Sequence, residues 1–298
     1  FLNYSVNNYI QVRGGLMLVP MGIINEYHEP VTFNGVERPT IDKYIAPTTW
    51  REIGIGITGT IPELSLKYQS YLMNGFSSYN GSAQLSGSSG MRSGRQKGAI
   101  SIIRTPVLAS RLEYFGLLGL NIGFSAYVGK TQSSMYKEIE RNDNVEIAMA
   151  DSSIVNMTMF GLDATYQLKG FELRVQTYYT RLSNTLQYNY FTTSDGSPNN
   201  LGNSMYGYYI ETGYNVFQQL EKIKSELITF VRYSAFDTQY TVAEGIVKNP
   251  SYNKQVITTG IGWKPISAVA LKADIQFQKS KKDSNYNKVF NAGIALWF

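Results

Sequence analysis

The sequence ends in Asn291-Ala292-Gly293-Ile294-Ala295-Leu296-Trp297-Phe298. Apolar side chains recur at every second position from Phe290 to Phe298, while Asn291 and Gly293 belong to the other face. A period of two is typical of a β-strand with one apolar face. Such a strand at a free edge invites aggregation in a soluble protein, whereas a transmembrane β-barrel needs it to close its sheet. This stretch therefore predicts the closing strand of an antiparallel transmembrane β-barrel.

The same alternation of apolar and polar side chains recurs along the chain, for example over residues 120–127, 171–176 and 271–278. A soluble β-sandwich also alternates, with its apolar face inward. It does not usually place Lys, Arg, Asp and Glu in the middle of strands that have few apolar residues to cover. An apolar outer face and a polar inner face over strands of ~10 residues are typical of a membrane barrel. We therefore predict an all-β barrel, with a Tyr-rich soluble sandwich or a secreted lectin-like protein as the alternative.

The composition is consistent with this fold. The chain of 298 residues contains 23 Tyr and no Cys, and tyrosine is suited to the boundary between membrane and water. No apolar run reaches the ~20 residues of a membrane-spanning helix, which excludes a helical membrane protein. The net charge of +5 does not indicate nucleic-acid binding, because the basic residues do not form one stripe.

Loop lengths indicate the orientation and size of the barrel. The predicted connections alternate between about 2–9 and about 18–35 residues, as short periplasmic turns and long extracellular loops do. The last outer connection, Ser280 to Tyr286, is an exception and is short. Counting back from the C-terminal strand gives about 13 strands, so an odd number of strands is expected before Phe1. We therefore expect residues 1–298 to form a single barrel of 14–16 strands, with 16 favoured, that lacks its N-terminal strand or strands in this sequence.

No catalytic or metal-binding group of residues stands out. His28 is the single histidine, and the chain has no cysteine to partner it. A Ser–His–Asp triad around His28 would require several loops to converge. The Gly-rich segment 87–98 lacks the strand-to-helix context of a phosphate-binding loop. We expect no enzymatic activity, no metal and no cofactor.

The face opposite the apolar one is expected to line a lumen, where ionisable side chains set the field that permeating ions experience. The candidate pore-lining residues, six basic and five acidic, are Arg13, Lys67, Arg111, Arg174, Arg232 and Lys272, with Glu113, Asp163, Glu172, Glu211 and Asp274. The small excess of basic residues predicts a weak anion preference. The alternative is that Arg111/Glu113, Glu172/Arg174 and Lys272/Asp274 are ion pairs that only stabilise the wall.

The C-terminal stretch also resembles the recognition signal of bacterial outer-membrane proteins. The matching positions are a polar residue, a glycine, an apolar residue and a final phenylalanine, here Asn291, Gly293, Leu296 and Phe298. This resemblance implies a protein of the outer membrane of a Gram-negative bacterium that is inserted by the barrel assembly machinery.

Two further segments resemble the phosphate-selective porin O and P family. The first is Tyr9-Ile10-Gln11-Val12-Arg13-Gly14-Gly15 with Pro20-Met21-Gly22. The second is Ala109-Ser110-Arg111-Leu112-Glu113-Tyr114, followed by the turn 116–119 and the strand 120–127. The resemblance implies a 16-stranded porin, often trimeric, that passes anions along inward-facing Arg and Lys, here Arg13 and Arg111. The chain lacks that family's dense basic ladder, so we expect a general diffusion porin rather than a phosphate-specific one.

The sequence thus predicts an outer-membrane porin, a water-filled channel for passive diffusion of small hydrophilic solutes with a weak anion preference. The alternative is a structural or anchoring barrel in a larger surface or secretion complex, because long loops such as residues 186–204 are suited to bind a partner or to fold in as a plug. The expected partners are outer-membrane lipid and lipopolysaccharide, the assembly machinery, and a homotrimer or other outer-membrane proteins.

Overall fold

The computed structural model describes residues 1–27, 29–96, 98, 101–137, 139, 143–220 and 222–297, so that His28 and Phe298 lie outside the described residues. The strands in chain order are β1 (Leu2–Ser5), β2 (Gln11–Leu18), β3 (Arg51–Ile61), β4 (Leu66–Met73), β5 (Ser77–Tyr79), β6 (Val107–Leu117), β7 (Leu120–Lys130), β8 (Gln132–Ser133), β9 (Asn156–Leu168), β10 (Phe171–Ser183), β11 (Ser204–Asn215), β12 (Glu226–Thr241), β13 (Asn253–Ile266), β14 (Val269–Ser280) and β15 (Asn287–Leu296). The helices are α1 (Gly22–Glu26), α2 (Ile41–Tyr44), α3 (Asn144–Ser152) and α4 (Thr185–Phe191).

Thirteen strands form one antiparallel sheet in which each strand pairs with the next, and β5 and β8 form a separate short parallel pair. Tight turns join strands at one end, as between β9 and β10. There Lys169 and Gly170 both have positive φ, 49° and 83°, as a two-residue hairpin turn of this twist requires. Longer connections join most strands at the opposite end, whereas β14 and β15 are joined there by residues 281–286 alone. Among the described residues β1 and β15 are the two edges of this sheet, and the total of 14–16 strands stays a prediction.

The two faces of the sheet differ in polarity as the alternation predicts. On β7, Ile122, Phe124 and Val128 are exposed on the outer face, whereas Ser125 and Tyr127 are buried on the inner face. An apolar outer face is the one that a barrel presents to lipid. Among the described residues, no helix is both long and apolar enough to cross a membrane.

The sheet curves around the segment between β2 and β3, which we call the inner loop (residues 19–50). Glu26 of this loop contacts Lys67 on β4 at 3.2 Å, and Pro30 accepts a hydrogen bond from Lys272 on β14. Glu26 and Pro30 are four positions apart in the chain, so their backbones are at most about 14 Å from each other. In a flat sheet, β4 and β14 would lie about 38 Å apart, since eight strand spacings of ~4.8 Å separate them. The two contacts are possible together only because the sheet is rolled into a barrel wall.

The largest apolar cluster lies at the long-loop end rather than at mid-barrel. The ring of Trp50 stacks on Phe76 at 4.1 Å and packs against Tyr127 at 4.9 Å. Leu85 and Tyr188, from two different outer connections, are fully buried in the same cluster. The outer connections therefore pack on one another and on the end of the inner loop.

Candidate channel interior

The inner loop is held closed at its base by one asparagine. The side-chain amide of Asn25 donates to the carbonyls of Val19, at 2.8 Å, and Trp50, at 2.9 Å, and its oxygen accepts from the Trp50 N–H at 2.9 Å. Asn25 is buried, where such bonds are costly to lose. These hydrogen bonds thus join the two ends of the inner loop to each other independently of its contacts with the wall.

One side of the inner loop is attached to the wall formed by β4, β6 and β7. The Glu26 carboxylate accepts from Gln69 at 3.0 Å and lies 3.9 Å from the guanidinium of Arg111. The backbone N–H of Gly22 points to the Ser125 hydroxyl at 3.4 Å. Gly22 has φ +68°, and a Cβ there would lie 1.8 Å from the Tyr178 hydroxyl, so only glycine allows this close approach.

The other side is attached to β10. Gln176 accepts from the backbone N–H of Ile23 at 2.7 Å and donates to the Asp42 carboxylate at 2.7 Å. The Tyr178 hydroxyl also donates to Asp42, at 3.3 Å. One glutamine side chain therefore joins both helices of the inner loop to the wall.

The far wall, from β11 to β14, binds the middle of the loop. Arg232 donates to the carbonyl of Asn34 at 2.6 Å, and Asp274 accepts from the N–H of Val36 at 2.6 Å. Lys272 donates to the carbonyl of Phe33 at 2.5 Å. Charged side chains of the wall thus satisfy backbone groups that would otherwise be buried without partners.

All eleven residues that the sequence predicts as pore-lining lie on the inner face, and the structure groups them into clusters. Arg111 binds Asp163 through two hydrogen bonds of 2.6 and 2.8 Å and Glu113 through one of 3.3 Å. The two hydrogen bonds to Asp163 are a bidentate contact, which fixes the orientation of the Arg111 guanidinium plane. This cluster combines the Arg111/Glu113 pair of the structural alternative with a second carboxylate from β9.

A second cluster joins β10, β11 and β12. Glu211 accepts from Arg232 at 2.6 Å and lies 3.9 Å from Arg174, which also pairs with Glu172. Arg232 and Glu211 are buried. The Glu172/Arg174 pair of the structural alternative is therefore present, within a larger network.

The remaining predicted residues have other partners. Lys272 and Asp274 each bind the backbone of the inner loop rather than acting as a ladder pair. Lys67 binds Glu26, and Arg13 donates to the Tyr71 hydroxyl at 3.2 Å. That any of the eleven contacts permeating solutes stays a prediction.

Two hollows flank the inner loop. The larger, about 540 Å³, lies between the loop and β12–β15 towards the long-loop end. Its charged lining residues are Glu37, Arg38, Asp42, Lys43, Arg92, Arg232 and Lys254. The smaller, about 270 Å³, lies towards the short-turn end and is lined in part by Tyr27, Arg111, Glu113 and Asp163. The inner loop thus separates an outer hollow from an inner one.

Five basic and two acidic side chains line the larger hollow, and Arg232, one of the five, is also paired with the buried Glu211. Burial raises the pKa of Asp42 to about 7, although hydrogen bonds from Gln176 and Tyr178 oppose the rise. Burial also lowers the pKa of Arg38, which remains positively charged. The hollow is therefore positively charged around neutral pH.

Residues 19–50 were not predicted to fold into the barrel. The sequence does contain a signal for this, because the loop has more apolar residues than a solvent-exposed loop needs, and the structure buries Val19, Met21, Ile24, Ile41 and Trp50. The basic residues Arg38 and Lys43 on this loop were missed for the same reason.

The proposed assembly signal has structural contacts of its own. Asn291 donates to Asp274 at 2.8 Å, Gly293 pairs with Lys272, and Leu296 is exposed on the outer face. Phe298 lies outside the described residues. The recognition role of these four positions stays a prediction.

No protein-family model matches the sequence. An uncharacterized protein of Aquifex aeolicus (strain VF5) is 29% identical over 302 residues, which cover 100% of this chain and 64% of that protein. The chain therefore spans less than two thirds of the length of this relative.

Solved structures of porins share the fold at low sequence identity. OmpF of Salmonella typhi, in complex with daunomycin, has a TM-score of 0.57 and 10% identity over 97% of this chain and 74% of its own. The outer-membrane channel DcaP of Acinetobacter baumannii has a TM-score of 0.53 and 9% identity over 97% and 70% of the two chains. The anion-selective porin from Comamonas acidovorans has a TM-score of 0.51 and 14% identity, also over 97% and 70%. These likenesses confirm the expected antiparallel β-barrel, and the chain has the fold of outer-membrane porins.

Proposed function

We propose that the protein is an outer-membrane porin, a channel through which small hydrophilic solutes diffuse passively. The observation that carries this proposal is the division of charge between the two faces of the wall. Arg111, Arg174, Arg232 and their carboxylate partners lie inside, around the inner loop, while the outer face is apolar. A lumen of this kind favours water and ions, and we infer that the inner loop narrows it.

We further propose that the channel prefers anions. The larger hollow has more basic than acidic side chains, and Asp42 carries only part of a negative charge near pH 7. Lys43 on α2 and Lys254 on β13 both line this hollow, with their ammonium nitrogens 5.4 and 5.6 Å from the ring centroid of Tyr44. A hollow with low-dielectric walls and one dominant sign of charge concentrates ions of the opposite sign.

Single-channel recording of the full protein in planar bilayers tests the first proposal. We expect discrete, voltage-stable conductance steps from pure, folded protein. The absence of steps from protein that is shown to be folded would contradict the channel. It would support the alternative, a structural or anchoring barrel. The many hydrogen bonds between the inner loop and the wall favour this alternative, because they fix the loop inside the lumen. Co-purification of a partner at fixed stoichiometry would then support that alternative directly.

We also propose a family and a set of partners for the protein. Membership of the phosphate-selective porin O and P family rests on the segments around Arg13 and Arg111, and a homotrimer, the assembly machinery and lipopolysaccharide are the proposed partners. Native mass spectrometry of the protein in detergent would show the oligomeric state, with a monomer as the result that contradicts the trimer.

A further inference from the structure

Charges on the outer face of the strands have one sign and one location. Five strands carry one each, and all five side chains are basic. Arg51 on β3, Lys130 on β7, Arg181 on β10 and Lys288 on β15 are exposed, whereas Lys279 on β14 is half-buried and donates to the Ser284 carbonyl at 3.0 Å. Each follows or precedes the apolar row of its own strand, as Lys130 follows Ile122, Phe124 and Val128. The acidic side chains of the described strands are either inward-facing or buried.

All five residues lie within three positions of the strand end at the long-loop side of the sheet, although the connection between β14 and β15, residues 281–286, is itself short. We call them the outer collar (Arg51, Lys130, Arg181, Lys279, Lys288). At the short-turn end, the outer face of the strands carries uncharged aromatic residues instead, including Tyr114, Phe171 and Trp263. The asymmetry distinguishes the two rims, because a lysine or arginine at a membrane interface favours anionic headgroups and an aromatic ring does not require them.

A hollow of about 250 Å³ lies beside Lys130 of the outer collar, and a second basic residue, Arg104, also lines it. Arg104, just before β6, lies on this hollow with its guanidinium carbon 3.6 Å from the ring centroid of Tyr136. The backbone N–H of Arg104 donates to Gln132 at 2.7 Å, which fixes the position of the residue. One acid also lines the hollow, Asp151, and it accepts a hydrogen bond from the Tyr136 hydroxyl. Among the described residues, two basic side chains and one acid line this hollow, so its described lining is net positive, and the hollow has room for a phosphate group.

We propose that the outer collar binds phosphorylated lipid headgroups of the leaflet at the long-loop end, with Arg104 and Lys130 forming its principal phosphate site. This inference rests on the proposed outer-membrane barrel with its long loops outward. A guanidinium presents several donors in a plane that matches phosphate oxygens, and an ammonium adds a mobile charge. The apolar row below Lys130 contacts the acyl chains of the same lipid, so that headgroup and chains bind together.

The test measures lipid binding to the full protein in a non-ionic detergent by native mass spectrometry. The probes are a diphosphorylated lipid A, the same lipid without its phosphates, and inorganic phosphate. We expect the wild-type protein to retain the phosphorylated lipid and neither of the other two. The double variant Arg104→Gln/Lys130→Gln is expected to bind the phosphorylated lipid roughly 30-fold more weakly.

A matched control removes two positive charges from the opposite rim. Lys222→Gln/Lys224→Gln lies in the connector between β11 and β12 at the short-turn end and is expected to bind the lipid as the wild type does. Because Arg104 packs on Tyr136, the single variant Lys130→Gln is a second test that leaves this packing intact, with an expected loss of roughly fivefold.

Three results would overturn the inference. They are equal binding of the dephosphorylated lipid, unchanged binding in both Lys130 variants, and equal retention of inorganic phosphate, which would make the hollow a site for soluble anions. The channel proposal fails separately, because conductance is measured in bilayers of neutral lipid. A barrel that conducts without phosphate discrimination contradicts only the collar, and one that binds the lipid without conducting contradicts only the channel.

Discussion

At the scale of single residues, Asp42 makes the attachment of the inner loop dependent on pH. Burial raises its pKa from 3.8 to about 7, with Arg232 opposing and Asp163 adding to the rise. A raised pKa means that the folded state favours the neutral acid. The stabilisation that neutral Asp42 gives to the folded state is complete below pH 3.8, the pKa of this side chain in the unfolded chain. It is lost as the pH rises through the folded-state pKa of about 7.

The expected outcome is a looser α2 above neutral pH. Amide hydrogen exchange in residues 41–45 should quicken, beyond its ordinary base catalysis, as the pH rises through the pKa of about 7. Asp42→Asn keeps the shape of the side chain without a titrating charge, so its excess exchange should not change with pH. A variant with the same pH dependence as the wild type would contradict the role of Asp42.

Removal of Arg111 and removal of Asp163 should lower the free energy of unfolding by different amounts. Arg111→Gln leaves Asp163, Glu113 and Glu26 without the guanidinium that they share, so it should destabilise the barrel by about 3–5 kcal/mol. Asp163→Asn leaves Glu113 as a partner of Arg111 and should cost less. Chemical unfolding in detergent measures both, and equal losses would contradict a shared cluster.

At the scale of elements, the inner loop is a unit whose base depends on Asn25. Asn25→Ala removes three hydrogen bonds that join Val19 and Trp50 to its side chain. The loop should then leave the wall intermittently, since buried backbone groups lose their partners. We expect larger and noisier conductance steps in single-channel recordings. Asn285→Ala, at an exposed position in the connection between β14 and β15, serves as the control, and identical noise in all three proteins would contradict this role of Asn25.

The strands were largely predictable from the sequence, and the position of the inner loop was not. A period of two fixes which side chains of β7 or β14 share a face, because the pleat alternates at every residue. The inner loop depends instead on contacts between distant residues, such as Asn34 with Glu211 at 3.1 Å, which no local pattern specifies. The predicted pair Lys272/Asp274 shares a face as expected, yet both side chains are used by the loop.

At the scale of the whole molecule, the protein combines an apolar outer wall, a charged inner wall and a loop fixed between them. The wall gives the fold that the porins share, while the loop and the hollow beside it give this chain its proposed selectivity. The outer connections pack around Trp50 and Phe76 and hold the end of the loop. The inner loop is therefore held both at its base and at its outer end.

The reversal potential across a bilayer that separates unequal concentrations of potassium chloride tests whether the protein is an anion-preferring channel. For the wild-type protein we expect a potential of the sign that indicates chloride permeation. Lys43→Gln/Lys254→Gln should move it towards the potassium value, because the larger hollow loses two positive charges. Lys222→Gln/Lys224→Gln, outside the hollow, should leave it unchanged. A wild-type potential that indicates potassium permeation, or one that the Lys43/Lys254 variant does not alter, would contradict the account.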